Sequence, residues 1–385
     1  MKIAFYAPLK PPDHPVPSGD RNIARVLMQA LAAAGHDVLL ASRFRSFDSR
    51  GDEARQRRLH ALGDRLAARA AVRFANGRRP DAWFTYHVHH KAPDLLGPFA
   101  SRALGIPYVI AEASVARQQR DGPWSAGYAR ACAALRAADL VVSLNPADVA
   151  GVAAARPAGA AAAFLAPFID VARFAGSTAP FADVGSLADN ATSPAPKHRA
   201  PVRLATVAMM RPRAKLASYR VLASALESLQ DLDWELAIVG DGPARADVEA
   251  AFTPLHDRIA WLGAREPADI AALLRTSDVF LWPAIDEAIG LVFLEAQACG
   301  VPVVGAATPG VAAVVSADHT GLLVPVGDVA ATAAATRRLI DDAALRARMS
   351  AAAVAYVREH HDVPRAAAQL DALLRDACAA HRVVA

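Results

Sequence analysis

The sequence predicts an α/β protein of two doubly wound domains, each a parallel sheet with helices on both faces, and three observations lead there. Short apolar segments alternate with helical patterns before residue 175, the alternation restarts near residue 201, and a change of composition separates the two runs. At 385 residues the chain exceeds what one hydrophobic core usually serves, so two domains and a cleft between them are expected.

The first run opens with an apolar strand over residues 3–7, a breaker-rich loop (PLKPPDHPVPSGD), and a helix with Ile23, Val26, Leu27, Ala30 and Leu31 on one face. Gly35 ends that helix and HDVLLAS supplies the next strand, giving a βαβ unit at the start of the chain. AWFTYHV, IPYVIAE and DLVVSL follow as strands, each separated by enough residues for a crossover. Residues 176–200 are rich in Ala, Pro, Ser and Thr and lack apolar periodicity, which marks an interdomain linker between a domain at 1–175 and another at 201–385. In the second run VRLATVAMM, WELAIVG, RIAWLG, DVFLWP and VPVVGA read as strands with helical segments between them. The terminal helix carries Ala368, Leu370, Leu373 and Leu374 and is suited to pack on either half, including back on the first domain.

Hydrophobic residues make up 54% and charged residues 21% of the chain, a globular balance inflated by alanine. A net charge of +4 is too small for this length to argue for nucleic acid as a partner. Residues 43–79, however, hold Arg55, Arg57, Arg58, Arg65, Arg69, Arg73 and Arg78 against few acids, which describes either a solvated helix face or an anionic membrane surface as partner. Cys132, Cys299 and Cys378 are too scattered for a disulfide framework or a structural zinc site, and a reducing cytoplasm fits them. The start, MKIAFYAPLK, lacks a signal-type apolar region and no run approaches the roughly 18 apolar residues of a span, so membrane contact is expected to be peripheral, at the inner face.

In open parallel sheets ligands bind beyond the carboxyl ends of the strands, and the most specific segment there is DEAIGLVFLEAQACGVPVVGAATPGVAAVV, residues 286–315. Gly290 allows close approach of backbone to a ligand, and the helix it starts at Leu291 would present free N–H groups to a diphosphate. Glu295 lies among Leu294, Ala296 and Ala298, where an unpaired carboxylate is costly and a ribose diol would satisfy it. On one continuous helix Glu287 and Glu295 would stand about 12 Å apart, beyond the roughly 5–9.5 Å of paired glycosidase carboxylates. Arg211, Arg213 and Lys215, after the strand VRLATVAMM, would neutralise charge growing on a leaving diphosphate.

This block resembles the retaining glycosyltransferases of family 4, whose C-terminal domain carries Glu-x7-Glu, a small-residue helix, a strand entered as in Gly300-Val301-Pro302-Val303-Val304, and a turn like that at Gly310. The resemblance implies the GT-B architecture, two Rossmann-like domains facing a central cleft, with the donor in the C-terminal half. It puts Arg211 and Lys215 on the diphosphate and Glu287 on the donor sugar; Glu295 takes the ribose, and Gly290 and Leu291 lie beside the phosphates. The family's usual Gly-Arg with Lys five residues on is altered here: Met209 stands in place of the Arg, and Arg211 precedes Lys215 by four, while Arg213 reads as a solvated loop charge. Gly240-Asp241-Gly242-Pro243 resembles the family's turn before its next helix, and the strand end at Gly263 the place of the base. In the first half Gly19, within Ser18-Gly19-Asp20, takes the place of the phosphate-facing glycine turn, and His87 that of a histidine after the third strand. His89 and His90 raise a zinc site, but no matching distant ligands are evident, so no metal is expected. The family's second histidine is absent, with Glu112 offered instead, and Pro167-Phe168-Ile169-Asp170 with Phe174 resembles the segment closing the family's first domain.

The expected activity is transfer of a sugar from a UDP- or GDP-sugar to a saccharide or lipid-linked acceptor in polysaccharide or glycolipid synthesis. Transfer would be front-face with retained configuration, the leaving diphosphate helping to take the acceptor proton. A nucleotide-sugar epimerase of the same architecture and a catalytically silent sugar-nucleotide-binding partner stand as alternatives. A dinucleotide dehydrogenase is disfavoured, because no strand is followed by its glycine fingerprint. Oligomeric state is not legible.

Overall fold

The computed structural model describes residues 1–16, 18–174 and 200–384. The chain divides into two compact units, one of Met1–Ala166 with Val363–Ala385 and one of Pro167–Asp362. The change of unit thus falls at Ala166/Pro167, before the expected boundary at 175, and the expected linker lies outside the described residues apart from Ala200.

In the first unit six strands form one parallel sheet: β1 (Lys2–Tyr6), β2 (Asp37–Ser42), β3 (Ala82–Val88), β4 (Tyr108–Ala113), β5 (Leu140–Ser143) and β6 (Ala161–Phe164), in the order β2-β1-β3-β4-β5-β6. The crossovers are α1 (Gly19–Ala33), α2 (Glu53–Ala75), α3 (Gly97–Leu104), α4 (Ser125–Ala137) and α5 (Val149–Ala154). Helices on both faces demand strands apolar on both sides, and β4 and β5 are buried along their whole length. Trp83, Tyr108 and Phe74 anchor this core; the Tyr108 hydroxyl and Thr85 both donate to the buried Asp94 carboxylate, which pairs these polar groups with one another. On α2 the buried stripe is Gln56, Gly63, Ala67, Ala70, Ala71 and Phe74, mostly small residues, with Leu66 packed beside them and Leu62 exposed.

The second unit has its own six-stranded parallel sheet: β7 (Val202–Val207), β8 (Trp234–Val239), β9 (Ile259–Gly263), β10 (Val279–Trp282), β11 (Val303–Ala306) and β12 (Gly321–Val324), in the order β12-β11-β10-β7-β8-β9. Its helices are α6 (Ala214–Glu227), α7 (Arg245–Ala251), α8 (Pro267–Arg275), α9 (Leu291–Ala298), α10 (Pro309–Ala312), α11 (Val329–Asp341) and α12 (Ala343–His360). The last helix, α13 (Val363–Val384), belongs to the first unit and packs on α1. Sequence patterning does not disclose β6 and β12, four-residue strands too short to show a period. It also carries β7 on to residue 210, whereas the chain leaves the sheet after Val207.

Strand order locates the ligand crevices. In the first sheet the direction of winding reverses between β1 and β3, in the second between β7 and β10, and at such a reversal the loops beyond the strand ends diverge and leave room for a ligand.

Candidate functional site

In the second unit the reversal point is framed by the loops that follow β7 and β10. Lys215 stands in the first turn of α6, and its Nζ lies 2.7 Å from Glu287 Oε2 and 5.1 Å from the Trp282 ring centroid. The ring face attracts the ammonium while the carboxylate fixes it. Arg211 is exposed on the same loop as Arg213. Arg213 holds φ 69° and ψ −124°, a backbone that favours glycine.

The β10 loop is held from two sides. Ser218 Oγ on α6 accepts from Ile285 N at 3.0 Å, and Thr308, which caps α10, donates to the Glu287 carbonyl at 3.4 Å. A Cβ on Gly310 would lie 2.3 Å from the Ala288 carbonyl oxygen, so only glycine lets α10 support this loop. Ala284 and Asp286 both have positive φ, at 52° and 60°, a conformation costing non-glycine residues about 1 kcal/mol each, and strain of this kind collects where a loop is shaped for a ligand.

Gly290, with φ 74°, caps α9, and the N–H groups of Leu291 and Val292 have no acceptor within the helix, while Phe293 N donates to the Gly290 carbonyl. The helix is apolar nearly all round: Phe293, Leu294 and Ala296 are fully buried, and burial of Phe293 against Phe280 contributes roughly 2–3 kcal/mol. Glu295 is the one ionisable side chain in α9, and burial pushes its carboxyl up to about 7, with Arg173 pulling the other way. The structure therefore joins Lys215 with Glu287 directly and puts Glu295 in the second turn of the helix that Gly290 begins.

Gly240 and Gly242 have a local reason to be glycine. A Cβ on them would lie 1.9 Å from the Ala208 carbonyl and 2.3 Å from the Met210 carbonyl, because the two loops are zipped together by Met210 N to Asp241 O and Ala244 N to Met210 O. Gly263, with φ 64°, accepts from Gly240 N at 2.8 Å and has open space beside it.

In the first unit the reversal point holds a second ion pair. His87 Nδ1, at the end of β3, lies 2.9 Å from Asp20 Oδ1 in the first turn of α1. Ser18 caps that helix by accepting from Arg21 N, and a Cβ on Gly19 would meet no atom within 4 Å, so the backbone there is open to approach. Burial lowers the His87 pKa, but Asp20, Glu112 and Asp148 outweigh it and raise it above the ordinary value. Glu112, at the end of β4, accepts from Leu144 N at 2.6 Å and Asn145 N at 3.0 Å; burial still pushes it up to about 7. His89 and His90 continue a line of ring contacts from His87 to Trp124. Among the described residues no group of three or more His, Cys, Asp or Glu is placed to hold a metal ion.

Sequence reasoning missed Asp20, Ser218, Trp282 and Thr308. Thr308-Pro309-Gly310 carried a readable signal, a helix cap followed by Pro and Gly. Ser218 and Trp282 look like ordinary core positions and carried none.

Residues 197–355 match the family model described as glycosyl transferases group 1. The chain is 34% identical over 148 residues to the N-acetyl-alpha-D-glucosaminyl L-malate synthase of Bacillus anthracis, covering 38% of each chain. It is 37% identical over 147 residues to a D-inositol 3-phosphate glycosyltransferase of Stackebrandtia nassauensis, covering 35% of this chain and 33% of that protein. The matches thus span under two fifths of the length of these curated relatives. The sucrose-phosphate synthase of Thermosynechococcus elongatus superposes with a TM-score of 0.73 at 20% identity over 99% of this chain and 100% of that one. Anabaena HepE, solved in complex with UDP, gives 0.72 at 18% identity over 98% and 100%. The chain has the GT-B fold, two Rossmann-like α/β domains, and its second unit is related to the group 1 glycosyl transferases.

Proposed function

We propose that the protein is a retaining glycosyltransferase of family 4 that moves a sugar from a nucleoside-diphosphate sugar to a hydroxyl acceptor without a metal. The observation that carries this reading is the Lys215–Glu287 pair at the β7/β10 reversal, beside a helix start at Gly290 and a half-buried carboxylate at Glu295. A cation, free helix N–H groups and two acids meet the chemistry of a diphosphate, a sugar and a ribose.

Arg211 and Lys215 hold the diphosphate and stabilise charge that grows as the glycosidic bond breaks. Glu287 receives hydroxyls of the donor sugar, Glu295 the ribose diol, Gly290 and Leu291 the phosphates, and the Gly240 and Gly263 loops border the nucleoside. The acceptor hydroxyl attacks on the same face from which the diphosphate leaves and passes its proton to that diphosphate, so configuration is retained. The first unit turns Gly19 toward the donor phosphates and, through His87, serves the acceptor, a saccharide or lipid-linked hydroxyl in polysaccharide or glycolipid synthesis. The arginine face of α2 suits a peripheral place on an anionic membrane, and no described helix is long and apolar enough to cross one.

Thermal stabilisation by a panel of UDP- and GDP-sugars tests the reading. A cognate donor at 100 times its Kd adds about 2.7 kcal/mol, and no stabilisation by any member would overturn it.

A further inference from the structure

His87 and Glu112 stand opposite each other on neighbouring strands, since Tyr86 pairs with Ala111 and Val88 with Ala113. Each has φ 61°, a left-handed backbone within a strand that neither side chain prefers. The paired distortion occurs at the winding reversal of the first sheet.

Four ionisable groups meet there. Asp20 comes from α1, Glu112 from β4, Asp148 from the turn after β5, and His87 lies between them. Tyr86 is 1% exposed, its hydroxyl has no hydrogen-bond partner among the described residues, and it feels the charges of both Asp20 and Glu112. Lys10 acts on Asp20, and His89 and Lys91 flank the loop. A buried donor without an acceptor, next to an imidazole that is 22% exposed, has the chemistry of a ligand site.

The direction of the His87–Asp20 bond follows from chemistry. His87 holds the Asp20 carboxyl below its ordinary value, so it is ionised and can only accept; Nδ1 must therefore carry the hydrogen. In the neutral ring the lone pair then sits on Nε2, the end not tied to Asp20.

Resting on the glycosyltransferase reading, we propose that Asp20 is the positioning residue of a histidine–carboxylate dyad, and that His87 Nε2 accepts a hydrogen bond from an uncharged acceptor hydroxyl. With the Asp20 carboxylate and two further acids, Glu112 and Asp148, around a single imidazole, a phosphate or carboxylate on the reacting part of the acceptor is disfavoured, whereas a sugar hydroxyl is received. Tyr86 supplies a further donor to such a polyol, and the two left-handed residues turn the imidazole and carboxyl out of the sheet's regular alternation.

The test is carbethoxylation of His87 in the full chain, followed by mass spectrometry, because the reagent attacks only the neutral ring. In the wild type the rate should rise with a midpoint above the ordinary 6.5 of histidine. Asp20→Asn should move that midpoint down by about one unit or more, so that near pH 6 His87 reacts about tenfold faster. A purely structural role for Asp20 would change folding without moving the profile. Methyl α-glucoside, methyl α-mannoside and methyl α-galactoside are the probes, of which at least one should protect His87 while inorganic phosphate does not. A wild-type midpoint at or below 6.5, an unmoved profile in folded Asp20→Asn, or protection by phosphate alone or by none of the probes overturns the proposal. If the dyad behaves as stated but no nucleotide sugar stabilises the protein, only the glycosyltransferase reading fails.

Discussion

Lys215 and Glu287, 72 residues apart in sequence, meet at 2.7 Å across the winding reversal of the second sheet. Each neutralises the other, and a diphosphate arriving at Lys215 would release Glu287 to the hydroxyls of the sugar. Both groups keep some contact with solvent, so the exchange carries no large desolvation cost.

The variants separate accordingly. Glu287→Ala should weaken binding of the nucleotide sugar and leave the bare nucleoside diphosphate unchanged or bound more tightly, since Lys215 loses its competing acid. Arg211→Ala and Lys215→Ala should lower kcat by roughly 10²-fold with smaller effects on donor binding. Calorimetric titration of both ligands, with circular dichroism to confirm folding, reads these outcomes. Wild-type affinities for both ligands in folded Glu287→Ala would remove Glu287 from the site.

If Glu295 holds the ribose as proposed, donor binding should depend on pH. Its carboxyl is pushed up to about 7, and ribose hydroxyls donate best to the ionised form. Nucleotide affinity should therefore rise as pH increases through about 7, and Glu295→Gln should flatten that dependence as well as weaken binding. The sign for stability is opposite. A carboxyl with a folded pKa above its unfolded value of 4.5 favours the folded state when protonated, so stability is lost as pH rises from about 4.5 to about 7. Glu112→Gln and Glu295→Gln should each recover up to about 3 kcal/mol at pH 8 and little at pH 4.5. Equal gains in Tm at both pH values would contradict this.

Arg213 offers a cleaner stability test. Its φ of 69° with ψ −124° belongs to glycine, its side chain is exposed, and it caps α6 without a side-chain hydrogen bond. Arg213→Gly should stabilise the protein by about 1 kcal/mol and leave nucleotide affinity within about twofold, as chemical denaturation and calorimetry would show. A loss of affinity comparable to that of Arg211→Ala would make Arg213 a phosphate ligand instead.

How far the sequence disclosed this depends on the kind of signal. Strands buried on both faces, such as YVIAEA at Tyr108–Ala113, belong to continuous apolar segments and are read directly, as is the Glu287 to Glu295 spacing. Pairings across the sheet are not periodic in sequence. Nothing local to Asp20 says that His87, 67 residues on, will face it, nor that Ser218 will hold Ile285. Strand order, which fixes both reversal points, is likewise a property of the assembled sheet. The α2 stripe escapes notice for another reason: it is built mainly from alanine and glycine, which are small enough for close helix packing but carry little apolar signal.

That exposed face of α2 supports a last prediction. At 100° per residue Arg57, Arg58, Arg65 and Arg69 share one side of the helix with Leu62 and Val72, opposite the buried stripe of Ala67, Ala70 and Phe74. Leu62 and Val72 are 38% and 61% exposed, so apolar groups stand among the cations, the pattern of a helix lying in a lipid interface. Each arginine near an anionic surface contributes about 1 kcal/mol, and the attraction decays within a Debye length of about 10 Å at 0.1 M salt. The protein should sediment with anionic vesicles and not with neutral ones, and release as salt is raised. Arg65→Glu with Arg69→Glu should abolish sedimentation while thermal stabilisation by the donor persists, because both residues lie on a helix of the first unit, whereas Lys215, Glu287 and Glu295, proposed to hold the donor, lie in the second. Equal sedimentation with both vesicle types at low salt would make the face an ordinary solvated one.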